Sequence, residues 1–379
     1  MAVASRSPAR LIWAASETCA DLWYASRLPT ADPFLWLEIG RRRWLVVSPL
    51  ELGRARRLAP RGTRVMTRQQ AITEFGMSET RAGTVADLIL GAARRYRRLR
   101  WEVPDYLPLG LARRLEAEGL RLQTVQPFFP ERRRKTAADL AGIRTGVKQA
   151  LAGFARAREI LRNSQVRRGV VCWNGVQLTA ERLRAEIDTT ILQGGGHSQR
   201  TIVAPGRQGA DPHEIGHGPI RAGEPLVLDI FPRDTRSGCF GDITRTVVKG
   251  TATETVRRAH AAVRAAQLAA IGKLRSGVPL RDIHQAAADV LAKRGFVTDL
   301  AAVPPRGFIH GTGHGLGLEI HEEPRLGNAP GQLQAGDVVT VEPGLYYPEW
   351  GGVRIEDDLL VTATGAELLS RAGYVLEIP

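Results

Sequence analysis

GFIHGTGHGLGLEIHEEPRL, residues 307 to 326, packs His310, His314 and His321 into a loop that also holds Gly311, Gly313, Gly315 and Gly317. Glycine at that density lets a backbone turn tightly and lets another group come close to it. A single histidine proves little, since most serve in structural hydrogen bonds. Three of them, four and seven residues apart, are a different matter. Imidazole ligates transition metals and moves protons near neutral pH, so a rigid histidine cluster suits both tasks. Such a cluster needs carboxylates around it.

Carboxylates stand in four places. Upstream, EPLVLDIFPRDTRSGCFGDITRTVVKG carries Asp229 at the end of an apolar run and Asp242 at the head of another, a pattern that predicts two adjacent strands joined by a polar turn. Downstream, GDVVTVEPGLYY puts Glu342 at the end of a β-branched run, and GGVRIEDDLLVT puts Glu356 inside another. Charged groups almost never occupy such buried-looking positions unless they are paired or bound to a metal. Two aspartates, two glutamates and a histidine form an oxygen-rich set with too much negative charge for one ion. That charge fits two divalent cations sharing some carboxylates. Oxygen-heavy ligation with one imidazole favours manganese, iron(II) or cobalt over a thiolate-rich or structural zinc site.

In order and local context, Asp229, Asp242, His314, Glu342 and Glu356 resemble the ligands of the dinuclear metallopeptidases of the pita-bread fold. That family includes methionine aminopeptidase, aminopeptidase P and prolidase. The phrases GDITRT, HGTGHGLGLEIHE, VEPG and GGVRIEDD look like its proline-specific branch. The resemblance covers residues 137 to 379 closely and the N-terminal third loosely. It implies an α/β (α+β) chain, with residues 1–133 forming a creatinase-like N-terminal domain and residues 134–379 a pita-bread catalytic domain.

The resemblance also implies roles. Asp229 chelates one metal, Asp242 and Glu356 bridge the pair, and His314 with Glu342 completes the other metal's shell. In the family a hydroxide held between the metals attacks the scissile carbonyl, and Glu342 matches a candidate proton shuttle. His321 is placed beside the tetrahedral intermediate, and His213, in ADPHEIG, matches a histidine that faces the substrate. Arg354, two residues before Glu356, is placed to hydrogen-bond a ligand carboxylate, and His310 resembles a substrate-side or loop-ordering histidine. The expected cofactors are two divalent ions, manganese first, with cobalt, iron or zinc as the other choices. The expected reaction is hydrolysis of Xaa-Pro peptide bonds, by a prolidase-type or aminopeptidase P-type enzyme. Proline specificity comes from the resemblance alone; the ring removes the N–H and fixes φ, so its bond needs an apolar cup as well as a polarising metal. Tyr346 and Trp350, in LYYPEWGG, are the expected cup.

In one respect the chain departs from the family. The step from Asp229 to Asp242 is thirteen residues, longer than usual, and Phe231 stands where the family has glycine. Extra residues are tolerated at an exposed loop tip, so PRDTRSG reads as a lengthened turn. Two rival readings share the fold, a metal-independent creatinase-like C–N hydrolase and a non-enzymatic pita-bread binding protein. Both normally lose several ligands, whereas all five are here.

The 379 residues call for two domains, since one core rarely grows past ~250 to 300 residues. Cys19, Cys172 and Cys239 lie far apart and make no metal or redox spacing, which suits reduced thiols in a cytoplasmic protein. The N-terminus offers only LIWAA as an apolar run, short of the ~7 residues of a signal segment. No stretch approaches the ~18 apolar residues of a membrane span. Net charge is +14, yet the arginines are spread along the chain without stacking aromatics or a nucleic-acid motif. The expected partners are therefore a proline-containing peptide and a second copy in a homodimer, with no membrane and no specific nucleic acid.

The first ~130 residues alternate strands (LIWA, FLWLEIG, RRWLVVS) with helices (SETRAGTVADLILGAARRYRR, LPLGLARRLEAEG), an α/β pattern. Thr136 and Asp139 make a capping box for a long helix toward Asn163. Thr179 opens another helix, and Pro279 and Gly295 bracket a third. His260 and His284 fall within helices and read as surface or packing residues; His197 and His217 receive no role.

Overall fold

The computed structural model describes residues 8–78 and 83–379. These residues form two compact units, Met1–Arg132 and Arg133–Pro379. The start of the helix read from SETRAGTV lies partly outside the described residues.

The first unit runs β1 (Ala9–Ala14), α1 (Ala20–Ser26), β2 (Phe34–Ile39), β3 (Arg42–Val47), α2 (Leu52–Leu58), β4 (Thr63–Thr67), α3 (Arg68–Glu74), α4 (Val85–Tyr96), β5 (Arg100–Val103), α5 (Leu109–Ala117) and β6 (Arg121–Thr124). Its strands make one mixed sheet in the order β4-β3-β2-β1-β5-β6. Alternation along β2 sends Leu35 and Leu37 to one core with Trp44, Ile89 and Trp101, and Phe34 and Trp36 to the other with Leu22, Leu45 and Phe129. Both faces of the sheet are thereby covered. Helix α4 begins where Thr84 and Asp87 cap each other's backbone N–H.

The second unit opens with α6 (Ala137–Arg162), whose N-terminus is a capping box of Thr136 and Asp139 and whose end is Asn163. A three-stranded meander follows, β7 (Gln165–Arg167), β8 (Val170–Trp173) and β9 (Val176–Gln177), then α7 (Ala180–Gln193), β10 (Gly196–His197), β11 (Ile202–Pro205), β12 (Pro225–Ile230), β13 (Arg233–Asp234) and β14 (Ile243–Lys249). Helices α8 (Glu254–Ile271) and α9 (Leu280–Lys293) lead to β15 (Gly313–Gly315), β16 (Glu322–Leu326), β17 (Val338–Val341), β18 (Gly344–Tyr347), β19 (Gly351–Arg354), β20 (Asp357–Val361), β21 (Ala366–Leu368) and β22 (Glu377–Ile378).

Each half of this unit pairs two helices with a sheet. Helices α6 and α7 bury Phe154 and Ile187 against Leu228 and Ile243 of the sheet β11-β12-β14-β22. Helices α8 and α9 bury Val263 and Ile283 against Val339 and Leu359 of the sheet β16-β15-β17-β20-β21. The two expected strands around Asp229 and Asp242 are β12 and the start of β14, paired antiparallel from Pro225↔Val248 to Ile230↔Ile243.

The stretch PRDTRSG is more than a lengthened loose turn. Arg233–Asp234 forms β13 and pairs with β10, while the Asp234 carboxylate accepts from Ser237 N–H and Oγ and from Gln149 Nε2 on α6. Backbone pairing and a buried carboxylate hold the insertion in place, a use of extra residues that turn composition alone does not signal.

Glycine explains how the central loop fits. A Cβ on Gly313 would overlap the Thr340 carbonyl, and one on Gly315 would overlap the Glu323 carbonyl, so the short strand bearing His314 threads a slot only bare backbone can enter. A second close approach sets the other side. Gly146 of α6 and Gly241 meet backbone to backbone, immediately before Asp242.

Candidate metal centre

Several strands converge on one cavity of about 510 Å³ within the second unit, lined among others by His213, Asp229, Asp242, His310, His314, His321, Glu342, Arg354 and Glu356. Every metal-ligating and catalytic residue named from the sequence therefore borders the same space, whereas Tyr346 and Trp350 do not line it. Ligand atoms of Asp242, His314 and Glu356 lie within 4.8 Å of one another, and these side chains are 4%, 5% and 2% exposed. Glu342 Oε1 stands 3.4 Å from His314 Nε2, and Asp242 Oδ2 stands 3.8 Å from it. Asp229 is outside that tight group: its Oδ2 accepts a 2.6 Å bond from Arg354 Nη2.

His314 is oriented as a metal ligand requires. Its Nδ1–H donates to the Gly315 carbonyl at 3.2 Å, which leaves the Nε2 lone pair facing the carboxylates. Burial, helped by His321, lowers its pKa to about 3, so the imidazole is neutral. Burial raises Asp242 well above the carboxylate range, with Glu356 and Asp229 adding like charge, and raises Glu356 with Glu342 and Asp229 adding theirs. Glu342 is pushed up by burial to about 8, against the pull of Arg354. Asp229 Oδ1, Asp242 Oδ1 and Glu356 Oε1 are buried without a hydrogen-bond partner. Crowded acceptor oxygens without donors are costly unless cations meet them, and with one neutral imidazole they make a hard, oxygen-rich donor set. These residues fit divalent metal.

Around that set, His310 Nδ1–H donates to the Gly311 carbonyl at 2.7 Å and its Nε2 accepts from Tyr346 OH at 2.8 Å. Tyr346 in turn accepts from Arg354 Nη1 at 2.8 Å. His321 sets its ring edge against His314, centroids 4.3 Å apart. His213 is exposed at the cavity, its backbone N–H fixed by Asp211.

The profile of metallopeptidase family M24 matches residues 141–363, more than half of the chain. The chain belongs to metallopeptidase family M24. The chain is 36% identical over 173 residues to the Xaa-Pro dipeptidase of Pyrococcus furiosus, covering 45% of this chain and 47% of that protein. It is 39% identical over 204 residues to Xaa-Pro aminopeptidase 2 of Streptomyces coelicolor, covering 47% and 43%. The match thus spans about half the length of these relatives. Solved structures extend the likeness to nearly the whole chain at the level of fold. The prolidase from Pyrococcus furiosus superposes with a TM-score of 0.77 at 22% identity, covering 96% of each chain. The X-Pro aminopeptidase from Thermotoga maritima superposes with 0.80 at 22% identity, covering 98% and 97%. The M24 unit is therefore a pita-bread fold, with mixed α/β architecture across the chain.

Two features of this M24 site differ from the sequence reading or escaped it. Tyr346 and Trp350 do not form the expected apolar cup. Tyr346 is fully buried and bonded to His310 and Arg354, and Trp350 stacks on Tyr347. The apolar lining is instead Ile202, Phe231, Ile309, Ile320 and Leu326. Arg325 also borders the cavity, and among the described residues its guanidinium bonds only the His321 carbonyl, at 3.3 Å. Its place four residues after His321 was the available signal, hidden because arginine is so common in this chain.

Proposed function

We propose that this protein is a metal-dependent peptidase that hydrolyses Xaa-Pro bonds. One observation carries the reading: buried carboxylates of Asp242 and Glu356, each with an oxygen lacking a donor, converge with the Nε2 of His314 on a peptide-sized cavity. Asp229, Asp242, His314, Glu342 and Glu356 would hold two divalent ions, with Asp242 and Glu356 shared. Bound there, the ions would bring the pKa of water toward neutrality and polarise a carbonyl.

The chain's own groups supply the rest. Glu342, which lines the cavity beside His314, takes and returns the proton on the way to the leaving nitrogen. His321 and His213 offer imidazole N–H groups to the developing oxyanion. The Arg354 fork holds Asp229 and, through Tyr346, His310. Phe231, Ile309 and Ile320 give the proline ring an apolar wall. Arg325, which among the described residues has no carboxylate within salt-bridge distance, suits the free carboxylate of a dipeptide, which favours dipeptidase over aminopeptidase action.

The names of the relatives support Xaa-Pro peptides as substrates, and the oxygen-rich donors support manganese. A homodimer in the cytoplasm completes the proposal. Three free thiols suit a reducing compartment.

The test is hydrolysis of Xaa-Pro dipeptides and Xaa-Pro-Xaa tripeptides by metal-stripped protein, with manganese, cobalt or zinc restored in turn. Metal-dependent cleavage of the dipeptides is expected. Cleavage confined to longer peptides would make the enzyme an aminopeptidase, and failure to cleave either despite bound metal would remove the Xaa-Pro assignment.

A further inference from the structure

The two carboxylates proposed to be shared, Asp242 and Glu356, grip each other's strands through the residues two positions further on. The Thr244 hydroxyl donates to Glu356 Oε2 at 2.7 Å, and the Asp358 carboxylate accepts the Asp242 backbone N–H at 2.8 Å. Backbone contact reinforces the exchange, since Glu356 N–H donates to the Thr244 carbonyl at 3.0 Å. All four side chains are buried. Each grip spares a coordinating atom. Thr244 occupies Glu356 Oε2 and leaves Oε1 bare, while Asp358 takes only main chain and leaves the Asp242 carboxylate untouched.

The grips are themselves anchored. Thr244 Oγ1 accepts from Arg354 Nε at 3.2 Å, which fixes the hydroxyl proton on Glu356. Asp358 N–H donates to Ser370 Oγ at 2.9 Å, and Ser370 in turn donates to Asp357 at 2.9 Å. Asp357 is saturated by Arg245, Tyr374 and Gln267 at 2.7, 2.9 and 2.9 Å. Apart from Asp358 Oδ1, which has no partner among the described residues, these anchoring groups are all bonded, and a buried network so tied has little freedom to relax.

We infer that Thr244 and Asp358 are positioning residues that lock Asp242 and Glu356 into one rigid unit, so that two divalent ions load as a pair rather than one after the other. This rests on the dinuclear reading above. A carboxylate free to rotate can serve one ion without being in place for the second. Thr244 fixes the Glu356 carboxylate and Asp358 fixes the main chain that carries Asp242, so ordering one strand orders the other.

The experiment is calorimetric titration of metal-stripped protein with manganese, and with cobalt followed by its visible absorption, for wild type, Thr244→Val, Thr244→Ser, Asp358→Ala and Asp358→Asn. Circular dichroism checks the fold of each. Wild type is expected to take two ions in one cooperative step. Thr244→Val and Asp358→Ala should split loading into a tight and a weak step, the weak one ~10- to 100-fold poorer, with an altered cobalt spectrum. Thr244→Ser keeps the donor and Asp358→Asn keeps an acceptor, so both should restore pairwise loading. If Asp358→Ala does not fold, Thr244→Val, which keeps the shape of the side chain, decides. Wild-type stoichiometry, affinity and spectrum in Thr244→Val would overturn the inference, as would equal losses in the valine and serine variants. A wild type that binds no metal would overturn the dinuclear reading and this inference with it.

Discussion

Arg354 Nη2 lies 2.6 Å from Asp229 Oδ2, an ion pair whose side chains are 4% and 13% exposed. The same guanidinium reaches Tyr346 OH, Thr244 Oγ1 and the Pro212 carbonyl, so one planar fork touches four groups around the cavity. Lysine offers a single point charge and cannot reproduce that geometry. Arg354→Lys should therefore weaken metal binding ~10- to 100-fold while the fold persists. Arg354→Met should cost about 3–5 kcal/mol in denaturant unfolding of the metal-free protein, because it strands Asp229. A methionine variant as stable as wild type would mean that Asp229 finds another partner.

Metal-free protein should lose stability as pH rises from 6.5 to 8. Burial raises Asp242, Glu356 and Glu342, the last to about 8, while unfolded carboxyl groups have released their protons near pH 4. The folded state binds more protons throughout that window, so stability present at low pH is lost as pH climbs through the folded pKa. His314 and His310, lowered to about 3, and His260, lowered to about 4, carry the opposite sign; unfolded imidazole is half titrated near pH 6.5, so they oppose the decline only over roughly the first pH unit of the window. One proton contributes up to about 2 kcal/mol across the window. Thermal unfolding of stripped protein should show this decline, and saturating manganese should flatten it. Calorimetry at pH 7 in buffers of different ionisation heat should show proton release on metal uptake.

Asp242→Asn should change stability in opposite directions with and without metal. At pH 8 the amide removes a carboxyl group that burial and neighbouring carboxylates make costly to ionise, so stripped protein should gain stability. Metal affinity should fall by more than the ~100-fold that outer-sphere changes cause. Denaturation with and without manganese reads both, and an amide variant destabilised in both states would show that the crowding is relieved by other means.

His321→Ala should separate catalysis from binding. The ring is exposed to the cavity and rests on His314 without entering the buried ligand group. Turnover should drop ~10²- to 10³-fold with metal content unchanged, as expected for a lost oxyanion donor. Equal loss of metal would make it a ligand.

What the sequence made legible was local. Apolar runs ending in Asp229 and Glu342 named their strands, and Thr136 with Asp139 marked the start of α6. The glycines around His314 announced a close approach without saying to what. Thr244 and Asp358 were invisible because their partners lie 112 and 116 residues away, and ordinary β-branched or acidic positions carry no sign of such pairing. Tyr346 was misread because its aromatic ring suggested a wall, whereas its hydroxyl, held between a histidine and an arginine, determines where it sits. The insertion between Asp229 and Asp242 looked like slack and proved to be a strand, since its partner β10 is too short to show periodicity.

The meeting of Gly146 and Gly241 makes α6 a ruler without an adjusting screw. Where side chains separate two elements, a shift in one can be absorbed by a change of rotamer. Here nothing lies between the helix and the residue preceding Asp242, so any bend or slide of α6 passes to that carboxylate undamped. Sequence drift along this helix is consequently tied to the metal centre at a distance: neither glycine can grow a side chain alone, and the surface of α6 bears on the reaction although none of its residues faces the cavity.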